Sequence, residues 1–109
     1  MRIPFDELEE SVINSMYGGT GDTVSRMTLV DGNRIIKGHL GPGASIGTHT
    51  HTGSCEAIYI LSGTGIAVCD GVEEELTIGI CHYCPEGSSH SMRNTGDVPL
   101  EYLAFVAKR

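Results

Sequence analysis

The sequence predicts an all-β fold, an antiparallel sandwich or barrel, and three observations carry that prediction. Fifteen glycines are spread along the 109 residues and mark turns at the intervals of short strands. Asp31-Gly32 and Asp70-Gly71 each join two short runs of strand-like composition, the pattern of a tight hairpin. The runs "AIYIL" (57–61) and "PLEYLAFVA" (99–107) have strand length and are rich in β-branched, aromatic and aliphatic residues. A chain of this size holds one hydrophobic core, so a single domain over residues 1–109 is expected.

Only the start of the chain has helical character. Asp6 followed by Glu9 gives a weak capping-box pattern after Pro4, and a short helical turn is expected over residues 7–13. "GGTG" (18–21) lacks the Lys-Ser/Thr ending of a phosphate-binding loop and reads as a turn into the first hairpin. That hairpin pairs "VSRMTLV" (24–30) with "RIIKGHL" (34–40), and the second pairs "GIAVC" (65–69) with "VEEEL" (72–76). Two runs are apolar on both faces. Ile58 and Ile60 share the parity of Glu56, yet Ala57, Tyr59 and Leu61 oppose them; Leu100, Tyr102, Ala104 and Val106 oppose Leu103, Phe105 and Ala107. A sheet face open to water shows polar residues at alternate positions. Something therefore covers the second face, either the N-terminal segment or another copy of the chain, and a two-fold homodimer is the commonest such arrangement.

Seven Lys and Arg stand against 14 Asp and Glu, a formal charge of −7. That balance disfavours nucleic acid, whose binding draws on positive charge, and it disfavours an anionic membrane surface. No stretch has the length of apolar residues that a membrane span needs, and "MRIPFDELEE" has no signal-like apolar core, so a cytoplasmic location is expected. "CHYC" (81–84) has the spacing of a zinc knuckle, but Cys55 and Cys69 do not form a matching second pair. The cysteines are expected to be free, as small buried hydrophobes in a reducing compartment.

The histidines ask for a different reading. His49 and His51 stand one residue apart in "GASIGTHTHTGSCEAIYILSG" (43–63), and on an extended strand they point the same way. Glu56 follows, and His90 lies in "PEGSSHSMRN" (85–94), where Pro85 and Gly87 make a turn. Imidazole nitrogen with carboxylate oxygen suits one divalent transition metal, Fe, Mn, Ni, Co or Zn, and needs no thiolate. Spacing alone does not bring these four side chains to one point.

These residues resemble the two motifs of the cupin superfamily. The first, G-x5-H-x-H-x3/4-E-x6-G, is met by Gly43, His49, His51, Glu56 and Gly63. The second, G-x5-P-x-G-x2-H-x3-N, is met by Gly79, Pro85, Gly87, His90 and Asn94, with residues 64–78 between the motifs. The resemblance implies a jelly-roll β-barrel holding a divalent metal through His49, His51, Glu56 and His90. Many relatives carry Asp after the second-motif glycine where this chain has Ile80, a position expected to face outward at a turn.

Four protein ligands on a six-coordinate metal leave two positions for a substrate or ligand. Gly47, on the parity of the histidines, is expected to keep bulk away from that opening. Lys37 and His39 share a strand face and are candidates for the pocket if that face points inward, although the opposite face carries Ile36 and Leu40, which a core prefers. Met92, Ile58 and Ile60 are expected in the core, His82 at the surface, and Glu73, Glu74 and Glu75 on a solvated hairpin. The sequence supports a metal-dependent enzyme of oxygenase or isomerase type acting on a small organic molecule. The alternative is a module that binds a sugar or carboxylic acid through the metal without turnover. Outside the ligands, only Lys37, His39, Tyr59 and Tyr102 offer acid–base groups, none fixed in place by the pattern.

Overall fold

A computed structural model describes residues 1–109. Its strands are β1 (Glu10–Asn14), β2 (Asp22–Val30), β3 (Asn33–Leu40), β4 (Ser45–Thr50), β5 (Ser54–Ser62), β6 (Gly65–Cys69), β7 (Val72–Leu76), β8 (Cys81–Cys84), β9 (Ser89–Asn94) and β10 (Leu100–Lys108). They form a six-stranded sheet in the order β1-β2-β3-β10-β5-β8 and a four-stranded sheet in the order β4-β9-β6-β7, with antiparallel pairing throughout. The two sheets face each other as a jelly-roll barrel.

Both expected hairpins form. Asp31 and Gly32 have φ of 53° and 81°, and Asp70 and Gly71 have 49° and 82°, so each turn places two residues in the left-handed region that matches strand twist. At the motif boundary, Gly63 has a φ of 87°, and a Cβ there would strike the Pro99 carbonyl. Asn94 closes the same end of the barrel: its side-chain amide donates to the Leu40 and Val98 carbonyls at 2.9 and 2.8 Å and its oxygen accepts from Gly96 N–H at 2.8 Å.

The helical turn expected over 7–13 is not what forms. A single 3-10 turn covers Phe5–Glu7 without a side-chain cap, and Glu10–Asn14 is a strand paired with β2. A seven-residue helix is marginal in water, whereas the free edge of β2 offers Val12 and Ile13, both β-branched, a partnered backbone.

The inward parity of β5 and β10 is the one Glu56 marks. Ile58, Ile60, Leu100, Tyr102 and Ala104 are buried and join Leu40, Ala67, Leu76 and Met92 in the core. On the outer face Tyr59 and Phe105 are half exposed, and Phe5 from the N-terminal segment lies against the cleft they share with Ile35, Ala57 and Leu103. All four cysteines are free; Cys55 and Cys84 are buried as expected, Cys69 is half-buried and Cys81 is exposed. No helix is long and apolar enough to cross a membrane.

Candidate metal centre

His49 on β4, His51 just beyond it, Glu56 on β5 and His90 on β9 converge at the end of the barrel opposite Asn94, their ligand atoms within 4.8 Å of one another. Nε2 of His90 lies 3.0 Å from Nε2 of His51 and 3.1 Å from Nε2 of His49. One carboxylate oxygen of Glu56 lies 3.1 Å from Nε2 of His51 and 3.0 Å from Nε2 of His90. Neighbouring ligands 2.1 Å from an ion are separated by about 3.0 Å in an octahedron and about 3.4 Å in a tetrahedron. The four observed separations of 3.0–3.1 Å are close enough for one ion to bridge the groups.

The far nitrogens fix which atom of each ring faces the centre. The Gly47 carbonyl can only accept, so His49 Nδ1–H donates to it at 2.9 Å and leaves the Nε2 lone pair pointing inward. His51 Nδ1 meets Ser54 Oγ at 2.9 Å, and His90 Nδ1 meets His82 Nε2 at 3.0 Å. Burial lowers the pKa of His49 and of His51 below the ordinary 6.5, which keeps both rings neutral and able to ligate. Burial pushes the Glu56 carboxyl up, but the His90 hydrogen bond and the surrounding imidazoles outweigh it and hold the group ionised below the usual 4.5. The donor set fits a divalent transition metal on geometry and on protonation.

β4 reaches this arrangement through a bulge. Ile46 pairs with Met92 and His49 with His90, three steps on one strand against two on the other. Gly47 lies in that bulge and does not open the pocket. A Cβ there would collide with the Tyr17 carbonyl, so this glycine seats the segment around a second 3-10 turn, Met16–Gly18. Tyr17, at a φ of 51°, stacks on His49 with ring centroids 4.1 Å apart.

A cavity of about 70 Å³ adjoins the four side chains. Met16, Tyr17, Ile36, Ile46, Ile58 and Met92 supply apolar wall; Arg34, Thr23, Ser25 and Tyr102 supply polar groups. Arg34 takes no part in any ion pair of the structure, and the Thr23 hydroxyl is buried without a hydrogen-bond partner. Burial, with the Glu56 charge nearby, raises the Tyr102 pKa, so its hydroxyl keeps its proton.

Several sequence expectations change here. Lys37 and His39 lie on the outer face of β3, beside Arg26 and Glu101 and away from the centre, because Leu40, Ile36 and Arg34 take the inward parity. Extending that parity back from Ile36 finds Arg34, which sequence reasoning missed; nothing in the spacing marks Tyr17. Met92 and Ile58 are core residues that also line the cavity, and Ile60 is core alone. Ile80 faces solvent as expected. His82 is not exposed: it is 1% accessible, because strand alternation turns it and Cys84 inward while Cys81 and Tyr83 face out. Nor is Glu74 merely solvated, since it accepts a 2.7 Å hydrogen bond from His82 Nδ1.

Residues 37–106 match the family of cupin domains, and the chain belongs to that family. The chain is 32% identical over 112 residues to an oxalate-binding protein of Thermotoga maritima, an alignment covering 97% of this chain and 93% of that one. The crystal structure of a predicted oxalate decarboxylase from Thermotoga maritima superposes with a TM-score of 0.92 at 31% identity, covering 100% of both chains. An RmlC-like cupin from Shewanella frigidimarina shares the fold, with a TM-score of 0.79 at 17% identity over 95% of this chain and 86% of that one.

Proposed function

We propose that His49, His51, Glu56 and His90 ligate one divalent transition metal and that the protein binds a small dicarboxylic acid of the oxalate class there. The observation that carries this reading is Arg34, a cation without an ion-pair partner, lining the same cavity as the four ligands. The metal supplies a Lewis acid for one carboxylate. Arg34 offers the far carboxylate a fork of N–H donors, and Tyr102 and the unpartnered Thr23 hydroxyl offer further donors. A cavity of about 70 Å³ suits a handful of heavy atoms, well below the roughly 300 Å³ and upward of drug-sized sites. The Thermotoga relative with oxalate in its name agrees with this class. With Mn(II) loaded, oxalate should raise the melting temperature saturably and acetate should do so far less. Equal effects of the two acids, or an Arg34→Gln protein that responds like wild type, would overturn the assignment.

Turnover is the second reading, favoured by the ligand set: four converging donors would leave two positions of a six-coordinate metal for substrate beside the cavity. Product formation that depends on whether Fe(II), Mn(II), Ni(II) or Zn(II) is loaded would establish an enzyme of oxygenase, isomerase or lyase type. Saturable binding with no product in any metal form would establish a binding module.

The assembly that accompanies this reading is a two-fold homodimer of single-domain chains, joined across the outer face of the six-stranded sheet around Tyr59, Leu103 and Phe105. Light scattering at micromolar concentration should give about twice the 11.6 kDa chain mass.

A further inference from the structure

Behind His90 stands a hydrogen-bonded chain that the ligand set does not account for. His90 Nδ1 meets His82 Nε2 at 3.0 Å, and His82 Nδ1 meets a Glu74 carboxylate oxygen at 2.7 Å. The His82 side chain has 0% exposure, whereas that of Glu74 has 48%, so the chain runs from solvent to the centre. It also spans the two sheets: Glu74 is on β7, the edge of one, and His82 on β8, the edge of the other. An imidazole wholly withdrawn from water, with both nitrogens engaged, is a specific arrangement that a packing position does not require.

The direction of every proton in this chain follows from its ends. The Glu74 carboxylate accepts at 2.7 Å, so His82 carries its proton on Nδ1 and presents a bare Nε2. With a metal held on its Nε2, His90 carries its proton on Nδ1 and donates it to that bare nitrogen; without one, the Glu56 carboxylate 3.0 Å away competes for a proton on Nε2. The order is Glu74 ← His82 ← His90, each arrow a donated N–H. With metal on its inner nitrogen, the last histidine holds no proton there, so the chain delivers charge to the ligand and passes no proton to the cavity.

We infer that Glu74 and His82 are positioning residues that lock His90 in its metal-binding tautomer and strengthen it as a donor, from outside the ligand set. The inference rests on His90 being a ligand. With Glu74 removed, His82 is free to protonate Nε2, and two N–H groups then confront each other at the His82–His90 contact. His90 escapes by moving its proton to Nε2, the atom that must hold the metal, or by turning its ring. Outer-shell partners of ligating histidines typically govern about 10–100-fold in metal affinity, and Glu74→Gln should fall in that range. His82→Leu should weaken binding at least as much. His82→Gln should restore most of it, because its carbonyl can accept from His90 and its amide can donate to Glu74.

The test reads tautomers and affinity separately. Nitrogen-15 NMR of the Zn(II)-loaded protein, a diamagnetic form in which Nε2 of His90 is on the metal, should show Nδ1–H on both His82 and His90 in wild type. In Glu74→Gln the His82 proton should shift toward Nε2, and Mn(II) affinity by competition titration should drop by the stated factor. Glu74 is half exposed, so this variant folds; a clip that merely joined β7 to β8 would lower the melting temperature and leave tautomers and affinity alone. Unchanged His82 and His90 nitrogens with Mn(II) affinity within twofold of wild type would overturn the inference. A wild-type protein that takes up neither Mn(II) nor Zn(II) would instead overturn the metal assignment on which the inference rests.

Discussion

The two faces of the six-stranded sheet carry similar apolar residues and end in different environments. On the inner face Glu56, Ile58 and Ile60 of β5 become steadily less accessible, at 9%, 3% and 0%, from the metal centre toward the closed end. On the outer face Ala57 and Tyr59, with Leu103 and Phe105 beside them on β10, form a cleft that Phe5 only partly covers. Hydrophobicity does not separate the faces. What separates them is the company of polar groups: the inner face surrounds a carboxylate, three converging imidazoles and an unpartnered cation, and the outer face of this cleft has none. Apolar surface around paired polar groups builds a site; apolar surface without them builds a contact.

Breaking the inner face should have the largest effect. His49→Ala/His51→Ala should abolish divalent-metal uptake, measured by metal analysis after desalting, a loss beyond the about 10–100-fold of an outer-shell change. The barrel should persist, since the apolar core lies at the other end; retained metal in that variant would sink the ligand assignment. Next comes the outer face. Leu103→Glu or Phe105→Glu should convert the proposed dimer to monomer in light scattering while Mn(II) affinity stays within about twofold, a buried charge being costly at a contact and harmless in water. Monomeric wild type would mean that Phe5 and its neighbours are cover enough.

A pH series sharpens the comparison further. Burial lowers His49 and His51 in the folded state, so below the ordinary 6.5 the unfolded chain binds more protons than the folded one. The metal-free melting temperature should therefore be flat above pH 6.5 and fall below it, with a further loss below 4.5 as Glu56, held low by its imidazole partners, takes up its proton. Metal uptake should survive to a lower pH than a free imidazole would allow. A melting temperature that rises on acidification from pH 6.5 would contradict the burial of these rings. The smallest effect is reserved for Lys37→Ala and His39→Ala, which face outward and should leave metal and oxalate affinity within about twofold by titration.

The barrel and the cluster of three histidines and a glutamate were legible because each has a local signature. Asp-Gly turns declare hairpins, and His49, His51 and Glu56 lie within eight residues of one another in the sequence. The N-terminal strand was not legible, because Asp6 and Glu9 give a local helical signal while the edge of β2, which decides the matter, is a non-local partner. His82 escaped for a related reason. Its inward direction follows from strand parity, but a buried neutral imidazole is acceptable only with partners on both nitrogens, and those come from Glu74 and His90, each eight residues away in opposite directions. Arg34 lay within reach of the parity argument, two residues before Ile36. Tyr17 did not, since a left-handed backbone in a connecting segment leaves no trace in spacing.

The bulge in β4 gives the strand an irregularity whose value is chemical. Gly47 and Thr48 fall outside the pairing of β4 with β9, and it is the carbonyl of Gly47 that takes the His49 proton. Deleting Thr48 would let Ile46 and the histidine stand opposite Met92 and His90 in unbroken alternation, so the sheet would be mended and His49 would still face inward. The mended strand would lose the acceptor that sets the ring's proton, and the histidine could present N–H to the ion in place of a lone pair. A more regular ladder would thus come with a poorer ligand, an instance of stability and activity pulling in opposite directions within a single residue's length of backbone.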